Sequence, residues 1–295
     1  MSKNERIKKK IEKIYKRPIE NIYSHRFYSD LFSGYHYSLN EDKRSRSDFY
    51  KITPNDDDII KLFKNTTYYN FSDKLGETID NVLYSMAICG KAYIFIKPEY
   101  IEKIDKKGNR NKLINALYIR EIKGILKRNV FYYKNSLNEI SELNIDDGKL
   151  VICTLKDLGF KRKYFIKLMK KIEKCDITIS SVGLINDEPT YDFNVHMDKN
   201  RKKFLRKMKD IGWYFGNQGL SDSYILYKEI KMRLFKIKML KYILGKINHV
   251  LAEGNIVNKK FEIEACIGNT DYENVWAKFQ NGALTVSELS NIIWK

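Results

Sequence analysis

Apolar positions recur along this chain first at helical spacing, then in alternation, then at helical spacing again. Between Glu5 and Arg17, Ile7, Ile11 and Ile14 mark one face of an otherwise basic helix, and Pro18 ends the pattern. From Ile19 to Tyr50 the periodicity is lost in a stretch rich in Tyr, Ser and His that closes on polar residues 41–48, which predicts an irregular arm. Pro54, Asn55 and the aspartates 56–58 place a cap and negative charge at the start of a short helix reaching Phe63. The next helix, 72–89, is clearer: Leu75, Ile79, Val82, Leu83 and Met86 share one face, and Gly90 stands where a left-handed C-cap belongs.

After Gly90 the period shortens. The run Lys91–Lys97, β-branched and aromatic, predicts a strand, with turn residues at 107–109. Leu113–Ile122 and Ile125–Tyr133, separated by Gly124, and then Lys149–Leu155 read as further strands. Helical spacing returns over Phe160–Lys174, whose other face is almost wholly Lys and Arg. Two short strands, 177–185 and 191–196, are expected around a turn at 186–189, and Asp198 is expected to cap a very basic helix running to about Phe215.

Gly216 and Gly219 break that helix, and Ser221-Asp222 start a longer one. Leu226, Ile230, Leu234, Ile237, Leu240, Leu244, Ile247 and Leu251 follow in steps of three and four, a continuous stripe on a helix of roughly 40 Å. Such a helix is an architectural spine. A strand at 260–267, a helix at 271–281 closed by Gly282, and a last helix opened by the capping-box sequence Thr285-Val-Ser-Glu288 complete the chain. The fold class is therefore α+β.

Composition sharpens the picture in one respect. The 295 residues are 43% hydrophobic, enough for a large buried core, and 55 Lys+Arg against 37 Asp+Glu leave a net charge of +18. The excess is clustered: about +5 falls in residues 1–20, +6 in 155–175 and +10 in 199–241. Any one of these reads equally well as the solvated face of an amphipathic helix; three together favour a polyanionic partner. In the densest of them Lys199, Arg201, Lys202, Lys203, Arg206, Lys207 and Lys209 fall at spacings of three and four, a stripe that can face a phosphate backbone and read charge, not sequence. Tyr23, His25, Arg26, Phe27 and Tyr28 interleave rings with cations and can stack on bases, although such rings more often pack a core.

Residues that make or break bonds are harder to find. There is no glycine loop ending in GK[ST], and Cys89, Cys153, Cys175 and Cys266 stand too far apart for a paired metal or redox site. His25, His36, His196 and His249 each lack a second ligand at metal spacing. Glu262 and Glu264 share a strand face and can hold a divalent ion, yet Cys266 stands where a nuclease of that pattern has lysine. These readings predict a protein that is not an enzyme and takes no cofactor. No apolar run has the length of a signal peptide or of a membrane span, which with the unpaired cysteines predicts a reduced, intracellular setting and no membrane.

Two stretches carry a resemblance. Leu75–Tyr100, a helix entering Ala87-Ile-Cys-Gly-Lys-Ala-Tyr-Ile-Phe-Ile96, resembles the helix and "GnAYi" strand in the wing of tailed-phage portal proteins. So does the order of Ile211-Gly-Trp-Tyr-Phe215, residues 219–224, the spine helix with Ile247-Asn248, a strand, and Gly282-Ala-Leu-Thr-Val-Ser-Glu288. The resemblance covers roughly half the chain and implies a portal-like architecture. Residues 1–50 would be a basic helix and Tyr-rich arm, 51–155 the β-rich wing, 156–215 a basic stem helix pair around a clip-like insertion at 176–197, and 216–295 the spine helix with the C-terminal wing and crown. The gap near 216–222 would be the tunnel loop.

By the same resemblance the chain is a ring subunit, commonly dodecameric, at one capsid vertex of the virion, assembled in the host cytoplasm. It would conduct double-stranded DNA during packaging and ejection, and meet the major capsid protein, the terminase and the adaptor or head-completion proteins. The basic cluster at 199–209 would line the channel. The chain departs from the family in being short and in being basic where many portal channels are acidic. Alternative expectations are a non-portal basic nucleic-acid-binding protein of a mobile element and a metal-dependent nuclease using Glu262 and Glu264.

Overall fold

The structure, a computed structural model, describes residues 3–15, 27, 30–31, 50–67, 70–104, 110–135, 137, 139–144, 148–173, 193–214, 221–253, 260–267 and 270–294. It mixes helix with antiparallel sheet, as the period changes along the sequence predict. Its contacts divide the chain into two units that interleave in sequence: Met1–Pro18, Phe32–Tyr164 and Ile237–Asn269 form the first, and Ile19–Leu31, Phe165–Lys236 and Thr270–Lys295 the second. Among the described residues no helix is long and apolar enough to cross a membrane.

The first unit is built on antiparallel strands. Helix α1 (Lys3–Tyr15) buries Ile7 and Ile11 and leaves its cations outside. Strand β1 (Tyr50–Thr53), helix α2 (Asp57–Phe63) and the hairpin β2 (Lys64–Thr67) and β3 (Asn70–Asp73) lead to helix α3 (Lys74–Cys89). The α2 cap is the one the aspartates predict, with the Asp58 N–H donating to the Asp56 carboxylate at 2.8 Å. Strands β4 (Lys91–Ile104), β5 (Arg110–Glu121) and β9 (Lys149–Thr154) form one sheet in the order β5-β4-β9. Strands β6 (Gly124–Lys127), β7 (Val130–Lys134) and β8 (Ile140–Asn144) form a second. Helix α3 buries Leu75, Ile79, Val82, Leu83 and Met86, the five residues its sequence period selects, and packs on β4 and β5.

Gly90 is the hinge of this arrangement. Its φ is +73°, its N–H donates to Met86 O at 2.9 Å, and an added Cβ would lie 2.0 Å from the Arg162 carbonyl oxygen. Only glycine satisfies both conditions.

The long helix α6 (Asp222–Glu253) spans 32 residues, and its 237–253 part belongs to the first unit. There Tyr242 donates its hydroxyl to Asp157 at 2.6 Å and accepts the Thr154 N–H at 2.9 Å, with Lys246 3.7 Å from the same carboxylate. The Tyr242 and Thr154 hydrogen bonds, more than Lys246, hold the Asp157 carboxyl below its ordinary range. Asn248 uses its amide as a short strand would: it donates to Ile263 O at 2.9 Å and accepts the Ile263 N–H at 3.1 Å. That fixes strand β10 (Glu262–Ala265), which pairs antiparallel with β1.

The second unit is mostly helical: α4 (Tyr164–Glu173), which starts on the last residue of the first unit, α5 (Phe193–Lys207), residues 222–236 of α6, α7 (Tyr272–Gln280) and α8 (Val286–Ile293). One cluster of rings is sealed inside it: Phe27 lies 6.2 Å from Phe165 and 5.1 Å from Trp213, and Trp213 lies 5.5 Å from Phe204. A second core joins Leu226 and Ile230 of α6 to Leu289 and Ile293 of α8. Arg233 ties these helices together, donating to the Tyr272 hydroxyl and to Ile293 O, with Glu229 3.8 Å away. The α8 capping box forms as predicted, Glu288 N–H donating to Thr285 Oγ1 at 3.2 Å and Thr285 N–H to the Glu288 carboxylate at 2.8 Å. Thr285→Ala is expected to lower the stability of the chain by about 1 kcal/mol in urea titration.

Four sequence expectations change. Residues 125–133 are a hairpin, not one strand, turning at Arg128 with φ 54° so that Lys127 faces Val130. Residues 193–196 are helical, so the strand expected over 191–196 is not formed there, and Asp198 sits inside α5, pairing with Lys202 at 2.6 Å instead of capping. Six residues cannot separate the two periods; the buried Phe204 and Met208 farther along decide for helix. Finally α5 ends at Lys207, not near Phe215, because Gly212 at φ +85° closes it with an N–H to Met208 O at 2.8 Å. The expected strand at 177–185 and the irregular arm, apart from residues 27, 30–31 and 50, lie outside the described residues.

Candidate nucleic-acid interface

Helix α5 is amphipathic in the way its sequence requires. Phe204 and Met208, with Ile211 and Trp213 beyond the helix end, turn inward and are buried. Lys199, Lys202, Lys203 and Arg206 are exposed on the other side, and Lys209 is exposed in the turn that follows. Spacings of three and four make these a ridge of cations along one face. Lys207 is half-buried with an interaction of its own, and Arg201 lies on the helix with its side chain outside the described set. Lys202 is bound to Asp198, but an exposed pair of this kind is weak and exchanges readily for a phosphate.

Other basic faces are built alike. In α4, Lys167, Lys170 and Lys171 are exposed opposite buried Phe165, Leu168 and Met169. In α1, Arg6, Lys8, Lys9, Lys10 and Lys13 are exposed opposite Ile7 and Ile11. The basic count of α6 does not reach the surface in the same measure. Lys228 is buried, Arg233 is spent on Tyr272 and Ile293, and Lys231 is half-buried over the Trp276 ring, which leaves Lys238 and Lys241 as the exposed cations of the 222–241 part. The accessible part of the 199–241 charge is thus concentrated on α5, a distinction that net charge by segment cannot make.

Phe27, named above for base stacking, is a core residue with no exposed surface; Tyr23, His25, Arg26 and Tyr28 lie outside the described residues. Of the carboxylate pair on β10, Glu264 is otherwise engaged. Glu264 faces Lys51 across the β1–β10 ladder and is bound by it at 2.7 Å, which with a Thr53 hydrogen bond holds its carboxyl below the ordinary range. Glu262 faces Thr53 in the same register. No group of three His, Cys, Asp or Glu able to hold a metal occurs among the described residues. His249 lies 3.3 Å from Glu253 at the surface, the His196 side chain falls outside the described set, and His25, His36 and Cys175 lie outside the described residues. Burial pushes the Cys153 thiol up to about 12, far from the thiolate that nucleophilic chemistry needs.

One feature that sequence reasoning missed is a cleft of about 820 Å³ in the first unit, lined by Thr78, Phe95, Tyr118, Arg120, Glu121 and Tyr133 among others. At its floor Glu121 accepts the Ser85 hydroxyl at 2.7 Å, and burial pushes its carboxyl above the ordinary range. The lining comes from α3, β4, β5 and β7, elements far apart in sequence and from two separate sheets, so no local spacing announces it. The chain matches no family model and no curated protein sequence.

Proposed function

We propose that this chain is a portal-type ring subunit that conducts double-stranded DNA through a capsid vertex and performs no bond-making chemistry. The observation that carries the reading is the succession of elements. Helix α3 enters the β4–β5 hairpin through a left-handed glycine, two basic helices α4 and α5 follow on either side of residues 174–192, and the 32-residue α6 leads to β10 and two capped helices. That succession supports the wing, stem, spine and C-terminal order which the resemblance implies. Its partners are then duplex DNA, further copies of itself in the closed, commonly dodecameric ring of the family, the major capsid protein, terminase and head-completion proteins, in the virion. The exposed α5 ridge supplies diffuse, salt-screened attraction, the regime that lets a duplex slide.

Mass photometry or negative-stain imaging of the purified chain tests ring closure: closed oligomers support the proposal, and a single copy both at high concentration and inside the assembled particle overturns it. The triple variant Lys202→Ala, Lys203→Ala, Arg206→Ala tests the channel. Rings should remain intact while duplex affinity loses steepness in salt, the logarithmic slope shrinking by about 2 to 3, and packaging falls. An unchanged slope removes these residues from the DNA path. The exposed ridge equally favours a non-ring nucleic-acid-binding protein, and the same mass measurement separates the two.

A further inference from the structure

The second unit carries a row of aromatic rings that its sealed cores do not absorb. Tyr224 and Tyr227, on the first turns of α6, stack at 6.1 Å with their planes 23° apart. Tyr227 meets Trp276 of α7 at 5.8 Å, and Trp276 meets Phe279 at 5.8 Å. The four rings are half-buried, Trp276 and Phe279 resting on the Leu226, Ile230, Leu289 and Ile293 core. By contrast Phe27, Phe165, Phe204 and Trp213, the rings that build the neighbouring core, are all at most 2% exposed.

Cations distinguish the row further. The Lys231 ammonium lies 5.2 Å from the Trp276 centroid and 5.8 Å from that of Tyr227. Lys228 has its nitrogen 5.5 Å from the Tyr224 ring, is fully buried, and has no hydrogen-bond partner among the described residues. A buried amine without an acceptor is destabilising, and a chain retains one where an anion completes it. The pattern is therefore half-open rings with two amines among them, neither in an ion pair among the described residues, Lys228 feeling only the through-space pull of Asp210. Packing alone accounts for rings; it does not account for a buried amine without an acceptor placed among them.

We propose that Tyr224, Tyr227, Trp276 and Phe279 form a stacking platform for single-stranded nucleic acid, with Lys231 taking its phosphates and the buried Lys228 adding positive charge behind the Tyr224 ring. A strand offers both things the surface lacks, planar π-faces and a regular row of anions. An approaching phosphate draws the Lys231 ammonium off the Trp276 face, and that face then receives a base. The ring-to-ring steps of about 6 Å suit an extended strand and not the closer-stacked bases of a duplex, whose faces are covered by their neighbours. Stacking of this kind tolerates any base, so the platform selects strandedness and not sequence. The inference needs no ring closure and stands or falls apart from the portal proposal.

Titration of the full chain with a twelve-residue deoxythymidylate oligonucleotide, followed by tryptophan fluorescence and by anisotropy of the labelled strand, tests it. Saturable quenching is expected, with affinity falling roughly ten-fold or more in Trp276→Ala and largely restored in Trp276→Phe. Duplex binding should be unaffected by either change, whereas the α5 triple variant should weaken strand and duplex in parallel. Wild-type strand affinity in Trp276→Ala overturns the proposal. So does equal competition by polyglutamate, which would mark a site for acidic protein, and so does a change in self-association with strand binding intact, which would mark an interface between copies. If Trp276→Ala loses its thermal transition, Lys231→Gln decides: a several-fold loss for the strand supports the platform and an unchanged affinity overturns it.

Discussion

Lys228→Met is expected to melt higher than the parent chain at pH 7, by roughly 3 to 10 °C. The native side chain is fully buried with no hydrogen-bond acceptor among the described residues, and burial pushes its pKa from 10.5 down to about 8 against the weak opposing pull of Asp210. Methionine fills nearly the same volume without a charge to desolvate. The pH dependence fixes the cause. Below pH 8 the amine is protonated in both folded and unfolded chains, and the folded chain carries the whole penalty. Between about 8 and 10.5 the folded chain releases its proton while the unfolded chain still holds one, so the parent gains stability as pH rises. The advantage of the variant should therefore shrink above pH 8, in melts recorded from pH 7 to 10.5. A methionine variant that melts lower at pH 7 would mean that the amine is satisfied. The stabilised variant should also bind the oligonucleotide less well, the usual trade between stability and function.

Trp213→Ala should be the most damaging single truncation in the second unit, at about 3 to 5 kcal/mol in urea titration. Its indole meets Phe27 edge-on at 5.1 Å and 87°, meets Phe204 at 5.5 Å, and donates Nε1–H to Asp30 at 2.9 Å. The ring is delivered there by Gly212, whose positive φ lets the chain turn tightly onto α6: an added Cβ would lie 2.5 Å from Lys228 O and Met232 N. Losing the indole leaves Phe27 and Phe204 without their ring partner and Asp30 without its donor. Trp213→Phe keeps an aromatic ring and loses the Asp30 bond with part of the buried volume, so its effect should be smaller, about 1 to 2 kcal/mol. Equal losses in both variants would assign the stability to the hydrogen bond, and a loss under 1 kcal/mol in the alanine variant would contradict the packing described.

How far the sequence reveals this molecule depends on the range of the signal. Where position and partner lie within one or two turns, it is readable: the Gly90 and Gly282 terminations, the Asp56 cap, the Thr285 box and the Leu226 to Leu251 stripe all form as their spacing requires. Strands β1, β2, β3 and β8 are only four or five residues long, too short for alternation to stand out, and their existence depends on mates elsewhere. The same divide runs through the candidate sites. The α5 ridge is a local i, i+3, i+4 pattern and was visible. The aromatic row is not, since Tyr227 and Trp276 come together only when α7 folds back onto α6, and nothing in the spacing of either helix tells a half-open ring from a sealed one. Burial likewise turned Phe27 from a stacking candidate into core, and Lys228 from one more surface charge into the least satisfied group described.

The pairing of β1 with β10, Thr53 facing Glu262, sets a timetable for synthesis. On a ribosome adding about 5 to 20 residues each second, an edge that emerges early stays without its mate for roughly ten to forty seconds. Through that interval Lys51 and Thr53 present unsatisfied backbone to whatever other nascent chains are nearby, and closing so long a loop is slow. A chaperone that shields this edge, or low temperature and sparse expression, should therefore raise the yield of recombinant protein more than any change to the mature surface.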